Sequence, residues 1–296
     1  MKEPLSVARS RRREFGAFLR SRRERLTPAG VGLPEGARRR TPGLRREEVA
    51  LLAGVGVTWY TWLEQGRDVR ASPEVLSALA AALRLDDAER QHLSALNGHM
   101  PQFRSIGAER VEEPLRRMLD SLAGQPALVL GRRWDILAWN RAAELLFGDY
   151  EALAGDARNI MHLVFCDLRH RRLLVDWEPL ARMSLAMFRA DSARYAGDAD
   201  FERLIALLKK SSAEFRRWWP KHEVQAPLAG HKRIQHPIAG RMVFEYTSFA
   251  AIGQGDLKLV VYTPLAEAQT IEKLDRLLRQ PAVIEPRAVG RKRAVA

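Results

Sequence analysis

Three side chains with metal-binding chemistry, His162, Cys166 and His170, recur every four residues. A continuous helix would stack them on one face, as a zinc or haem site needs. Asp167 and the Arg-rich turn after it are expected to end that helix near Cys166, so no metal is expected. His231 and His236 flank strand residues, and His236-Pro237 has a structural character. No GxxxxGK[ST] loop, HExxH pair or nucleophile elbow occurs, and the carboxylates are scattered rather than paired. The chain is therefore not expected to be an enzyme.

The remaining chemistry is electrostatic. The net charge is +13, and it is unevenly placed. Residues 1–46 hold 14 Lys/Arg against 4 Asp/Glu, and residues 287–296 add four basic side chains and no acid. The stretch between is close to neutral. Basic side chains gathered near one end suit a polyphosphate partner, whose counterions they release on binding. A solvated arm would show the same run of charge, so the decision falls to the neighbouring elements.

A helix is expected over Arg11–Leu26, with Phe15, Phe18, Leu19 and Leu26 on its apolar face. The Gly-, Pro- and Arg-rich stretch 27–44 cannot continue it and forms a basic loop. A helix over Arg45–Ala53 then stops at Gly54, and a second runs from Val57 to Gln65 and ends at Gly66. Small Ala50 allows close approach of the second helix, whose Tyr60 and Leu63 face inward. Helix, short glycine turn and helix form the helix-turn-helix, which lays its second helix in the major groove of double-stranded DNA. Ser72-Pro73 opens a further helix bearing Val75, Leu76, Leu79, Ala80 and Leu83, and Asp86 with Glu89 opens another bearing Leu93 and Leu96. Arg45, Arg46 and Arg67 flank the helices and suit phosphate contacts, which position without specifying. Arg38, Arg39 and Arg40 suit either an adjacent minor groove or the backbone. Trp59 and Trp62 suit either apolar contact with DNA or packing against the basic loop.

These residues resemble a known family. EEVALLAGVGVTWYTWLEQGRDV is similar to the helix-turn-helix of the Xre/Cro superfamily, and the preceding FLRSRRERLTP and RRRTPGLRREEVA resemble its MmyB-like branch. The resemblance covers residues 8–97 and places Val57, Thr58, Thr61 and Trp62 on the base-facing edge of the recognition helix. Gly56 stands where the family often has serine.

Behind a linker, a second unit begins with a helix over Val111–Leu122. Strand Ala127–Leu130, a turn, strand Asp135–Trp139 and a helix capped by Asn140 resemble the opening of PAS-type sensor domains. Helices over Glu178–Arg194, Phe201–Lys210 and Ser212–Trp219 follow, then strands His231–Pro237, Met242–Phe249 and Leu257–Thr263. NIMHLVF, SAEFRRWWPKHEV and KRIQHPIAGRMVFEY resemble the MmyB-like ligand-binding domain, although RADSARYAGDAD (189–200) departs from the family's Gly/His/Pro-rich turn. That resemblance implies an apolar cavity and a fatty-acid-like ligand, for which Trp134, Trp139, Phe165, Trp177, Met183, Met187, Phe244 and Tyr246 are candidate lining residues. Ordinary core packing would use the same residue types.

The 296 residues suit two domains: an all-α helix-turn-helix domain over 8–100 and an α+β, PAS-like domain over 105–280. No apolar run is long enough to span a membrane, residues 1–13 precede no apolar segment of a secretory signal, and lone Cys166 fits a reducing cytoplasm. The expected protein is a cytoplasmic, homodimeric, sequence-specific regulator that senses a small apolar or acyl ligand and needs no cofactor. Two alternatives stay open: a C-terminal domain for dimerisation or protein contact without a ligand, and a haem or metal sensor using His162 and Cys166. Signal transfer is expected through residues 98–122 or a dimer interface.

Overall fold

A computed structural model describes residues 5–34, 43–98, 109–225, 230–251 and 256–279. The Arg38–Arg40 triplet and the basic residues after 286 lie outside them.

Five helices form the N-terminal domain: α1 (Leu5–Arg25), α2 (Arg46–Ala53), α3 (Val57–Glu64), α4 (Pro73–Ala82) and α5 (Asp87–Leu96). Helix α1 begins six residues before the expected start, because the apolar period that signals a helix is absent from its first turns. Phe18, Leu19, Val49, Tyr60, Leu63, Leu79 and Leu93 are buried together as the core. Gly54 ends α2 at φ +63°, a left-handed conformation that a side chain would strain. Ser72 caps α4, and Asp86 and Glu89 cap α5 reciprocally. Gly16 brings α1 against the end of α3: a Cβ there would lie 2.4 Å from the Glu64 carbonyl oxygen.

The C-terminal domain begins with α6 (Glu113–Ser121), β1 (Ala127–Leu130), β2 (Ile136–Trp139) and α7 (Arg141–Phe147). It continues through α8 (Ile160–Cys166), α9 (Leu168–Leu173), α10 (Trp177–Ser192), α11 (Ala199–Ser211) and α12 (Ala213–Trp218). It closes with β3 (Gly230–His236), β4 (Gly240–Ala250), β5 (Lys258–Pro264) and α13 (Thr270–Arg279). The five strands make one sheet in the order β2-β1-β5-β4-β3, with every pairing antiparallel.

Strand alternation divides two cores. Leu128 and Leu130 of β1 and Val260 and Tyr262 of β5 face the helices, where the main core lies. Ala127 and Val129, with Leu259 and Val261, face the other way, under Leu115 and Leu119 of α6. Strand β1 is therefore covered on both sides, which explains its uninterrupted apolar run. Asn140 ties the opening motif together: its Oδ1 accepts from Ala143 N and Ala127 N at 3.0 Å, and its Nδ2 donates to the Leu122 and Gln125 carbonyls at 2.8 Å.

The two domains pack against each other. Ala193, just beyond α10, is buried within the N-terminal core. Arg22 of α1 donates to the His222 carbonyl, and the Ser10 hydroxyl donates to Glu202 at 2.7 Å. At Gly197 (φ +89°) the chain runs so close to α1 that a Cβ would meet Val7 Cα at 2.5 Å. Direct docking through α10, rather than residues 98–122 alone, thus connects the two units.

Candidate functional site

Helix α3 turns Tyr60 and Leu63 into the core and leaves its opposite face open. Val57 and Trp62 are exposed at 40% and 36%, and Thr58 is exposed as well. Thr61 is half-buried, with its hydroxyl donating to the Val57 carbonyl at 2.8 Å. Trp59 packs against the domain core, whereas Trp62 stands outward with the Arg67 guanidinium 5.7 Å from its ring centroid. The structure therefore brings Val57, Thr58, Thr61, Trp62 and Arg67 to one solvent face and turns Trp59 away from it. The placement is that of a helix free to enter a groove with apolar and hydroxyl contacts at its surface.

Arg45 is exposed at the start of α2, where its N–H donates to Glu48 at 2.6 Å. Arg46 is already engaged: its Nε donates to Glu64 Oε2 at 2.8 Å. The same carboxylate takes Arg23 Nε at 2.5 Å, and Arg23 also donates to the Leu44 carbonyl at 2.8 Å. The Glu64 side chain is only 1% exposed, and Arg23 6%. Burial alone would raise the Glu64 carboxyl, but hydrogen bonds from Arg23 and Arg46 outweigh it and hold the carboxyl below its ordinary range. The triad, buried at Glu64 and Arg23 and half-exposed at Arg46, locks α1, α2 and α3 together and fixes the angle at which α3 is presented.

In the C-terminal domain an apolar cavity of about 280 Å³ lies between the sheet and α8 and α10. Of the eight expected lining residues, Trp134, Met183, Met187 and Tyr246 line it; Trp139, Phe165, Trp177 and Phe244 do not. Trp139 packs edge-on against Tyr150 with Arg158 over its ring. Phe165 and Trp177 belong to an aromatic cluster with Phe215 and Trp218. Trp177 Nε1 also donates to the Val164 carbonyl at 2.7 Å. Phe244 is fully buried in the core. Residue type alone could not separate these four from the others, because a core and a cavity wall select the same side chains.

Polar groups meet the cavity at defined points. Trp134 Nε1 donates to Asp191 at 2.8 Å, and Lys258 forms an ion pair with the same carboxylate. Tyr246 donates to Met183 Sδ at 3.4 Å. Lys232, which the cavity expectation omitted, lines the wall with its ammonium 3.1 Å from the Tyr262 hydroxyl and 4.7 Å from that ring's centroid. Among the described residues no carboxylate lies within ion-pair distance of Lys232. The signal was available: Lys232 alternates with buried Ile234 in β3 and so shares its inward face.

His162 and Cys166 lie on α8, but Asp167 caps a new helix, α9, which carries His170. Among the described residues no group of three or more His, Cys, Asp or Glu is placed to hold a metal ion, and no helix is long and apolar enough to cross a membrane. His170 is buried and its imidazole is pushed down to about 3, first by burial and then by the charge of Lys232.

The family model of the MmyB-like transcription regulator ligand binding domain matches residues 111–278, and that of a helix-turn-helix domain matches residues 14–93. A search of curated proteins found no match.

Proposed function

The chain belongs to the MmyB-like transcription regulators, and on that premise we propose that it reads a specific DNA sequence and senses an acyl carboxylate. Helix α3 is the reading element, with Thr58, Thr61 and Trp62 meeting base edges and Arg45 and Arg67 meeting phosphates. The sensing element is the cavity between the sheet and α10. Its apolar wall suits a hydrocarbon body held by burial. The observation that carries the reading is Lys232, a cation on that wall with no carboxylate partner among the described residues and the Tyr262 hydroxyl beside it. A carboxylate head would accept a charge-assisted hydrogen bond there while the chain fills the apolar space.

Helix α10 supplies the route from ligand to DNA. Met183 and Met187 line the cavity, and Arg189 and Ala193 lie against the N-terminal domain. A molecule that displaces the methionines therefore acts on the element against which the DNA-binding domain rests. Regulation further requires unequal affinity for the DNA-competent and incompetent states.

Calorimetric titration of the delipidated full chain with decanoate and decanol tests this. Decanoate is expected to bind saturably and more tightly than decanol, and Lys232→Met to bring the two together. If neither compound binds, the cavity is not an acyl site and the domain serves contact between proteins. If Lys232→Met leaves the preference for decanoate intact, the head-group assignment fails.

A further inference from the structure

A second cavity, of about 290 Å³, lies where the two domains meet. Helices α1 and α5 wall one side, with Arg13, Glu14 and His92 among its residues. Arg189, Lys209 and Trp219 stand opposite, in the C-terminal domain. None of its lining residues takes part in the acyl cavity.

Arg189 is only 2% exposed. Its guanidinium lies 3.9 Å from the Trp219 ring centroid, donates to His222 Nδ1 at 3.2 Å and to the Trp219 carbonyl, and leaves Nε without a hydrogen-bond partner. Among the described residues no carboxylate comes within ion-pair distance of it. His92 is 5% exposed and meets Phe18 edge-on, and its Nδ1 likewise has no partner. A buried guanidinium with no carboxylate in direct contact and an unpartnered Nε, beside a buried imidazole nitrogen without a hydrogen bond, disfavours an empty cavity. The other charges facing it are Arg13 and Lys209, and Glu14 and Glu202. Glu202 already accepts the Ser10 hydroxyl at 2.7 Å. The balance is cationic, and the remaining wall is apolar, with Leu96, Phe201, Ile205 and the Trp219 indole.

We propose that this interdomain cavity is a second ligand site, for a small organic anion that carries one carboxylate or phosphate on a short apolar or aromatic body. The anionic group would accept from Arg189 Nε and the His92 imidazole, with Lys209 and Arg13 adding charge. The body would lie against Leu96, Ile205 and the edges of the Trp219 and Phe201 rings, on whose faces Arg189, Phe215 and Tyr195 already stack. Because both domains contribute to the wall, an occupant is held fully only in the docked arrangement and stabilises it by linkage.

The test is calorimetric titration of the full chain with benzoate, phenyl phosphate and the uncharged benzamide. At least one anion is expected to bind one-to-one, at least tenfold more tightly than benzamide. Benzoate alone would assign the carboxylate class, and phenyl phosphate alone the phosphate class. Arg189→Met is expected to weaken that binding tenfold or more. Ala206→Trp, on an exposed rim residue, obstructs the cavity without touching a buried group and is expected to do the same with an unchanged circular dichroism spectrum. Absence of saturable binding would overturn the proposal and leave the cavity to water. So would equal binding of benzamide, or parental affinity in the Ala206→Trp variant.

Discussion

Replacement of Glu64 by alanine tests whether the Arg23–Glu64–Arg46 triad holds helix α3 in place. Glu64 and Arg23 have side chains 1% and 6% exposed, and Arg46 adds a third hydrogen bond to the two that Arg23 makes with the same carboxylate. Removing the shared acceptor strands a buried guanidinium, a loss on the order of 3–5 kcal/mol. Glutamine keeps the shape and one acceptor oxygen, so its loss should be about 1–3 kcal/mol. Domain stabilities run from about 5 to 15 kcal/mol, so alanine should remove a large share. Urea unfolding of the full chain, with amide exchange resolving α1 to α3, measures both losses. The pH dependence gives an independent check. The folded carboxyl is held below its ordinary value of 4.5, so its contribution is complete above 4.5 and is lost as pH falls through the depressed folded value. The glutamine variant should lack that contribution, so its stability should fall less steeply than the parent's below pH 4.5. An alanine loss under about 1 kcal/mol, or a glutamine variant whose stability falls as steeply as the parent's below pH 4.5, would refute the reasoning.

On DNA, Thr61→Ala and Trp62→Ala should each weaken binding to a selected duplex by about 1–3 kcal/mol with little change on unrelated duplex, measured by fluorescence anisotropy. A loss of helicity in Trp62→Ala would show instead that the exposed ring holds the fold. In the sensor, Met187→Trp should fill the cavity and abolish the thermal shift given by decanoate, while Phe244→Trp should overpack the core by about 1–3 kcal/mol; equal effects of the two would contradict the different places they occupy. Three imidazoles, buried His92 and His170 and half-buried His222, are held well below 6.5, chiefly by desolvation, the latter two at about 3. The unfolded chain therefore binds more protons as pH falls below 6.5, and stability should decline by up to about 1.4 kcal/mol per pH unit for each of them. A urea midpoint that stays level from pH 6.5 to 4.5 would contradict this.

The elements of the N-terminal domain were legible because glycine, serine, aspartate and proline mark where its helices begin and end. The β-alternation in β4 and the Asn140 cap announced the C-terminal sheet in the same way. Helix α13 was not anticipated, although its period-matched Leu274 and Leu277 pack into the main core. What local pattern could not carry were contacts between distant segments. Glu64 stood out only as a motif residue, and its partners Arg23 and Arg46 lie 41 and 18 positions away. Lys232 lay in a strand whose inward face was predictable, yet the hollow it faces exists only once α10 crosses the sheet. The stretch 189–200, noted for departing from its family's turn, proves to form much of the contact with the DNA-binding domain.

Helix α10 carries Met187 in one cavity wall and, two residues on, Arg189 at the joint between domains. A mutation that adapts this wall to a new effector is thereby tested at once for what it does to the response. If the cavity is the effector site proposed above, effector preference and regulatory output cannot drift independently. On that reading, a lineage that changes its effector would need compensating changes where α10 meets α5. An engineer who retargets it as a biosensor would have to select for recognition and for switching in the same library.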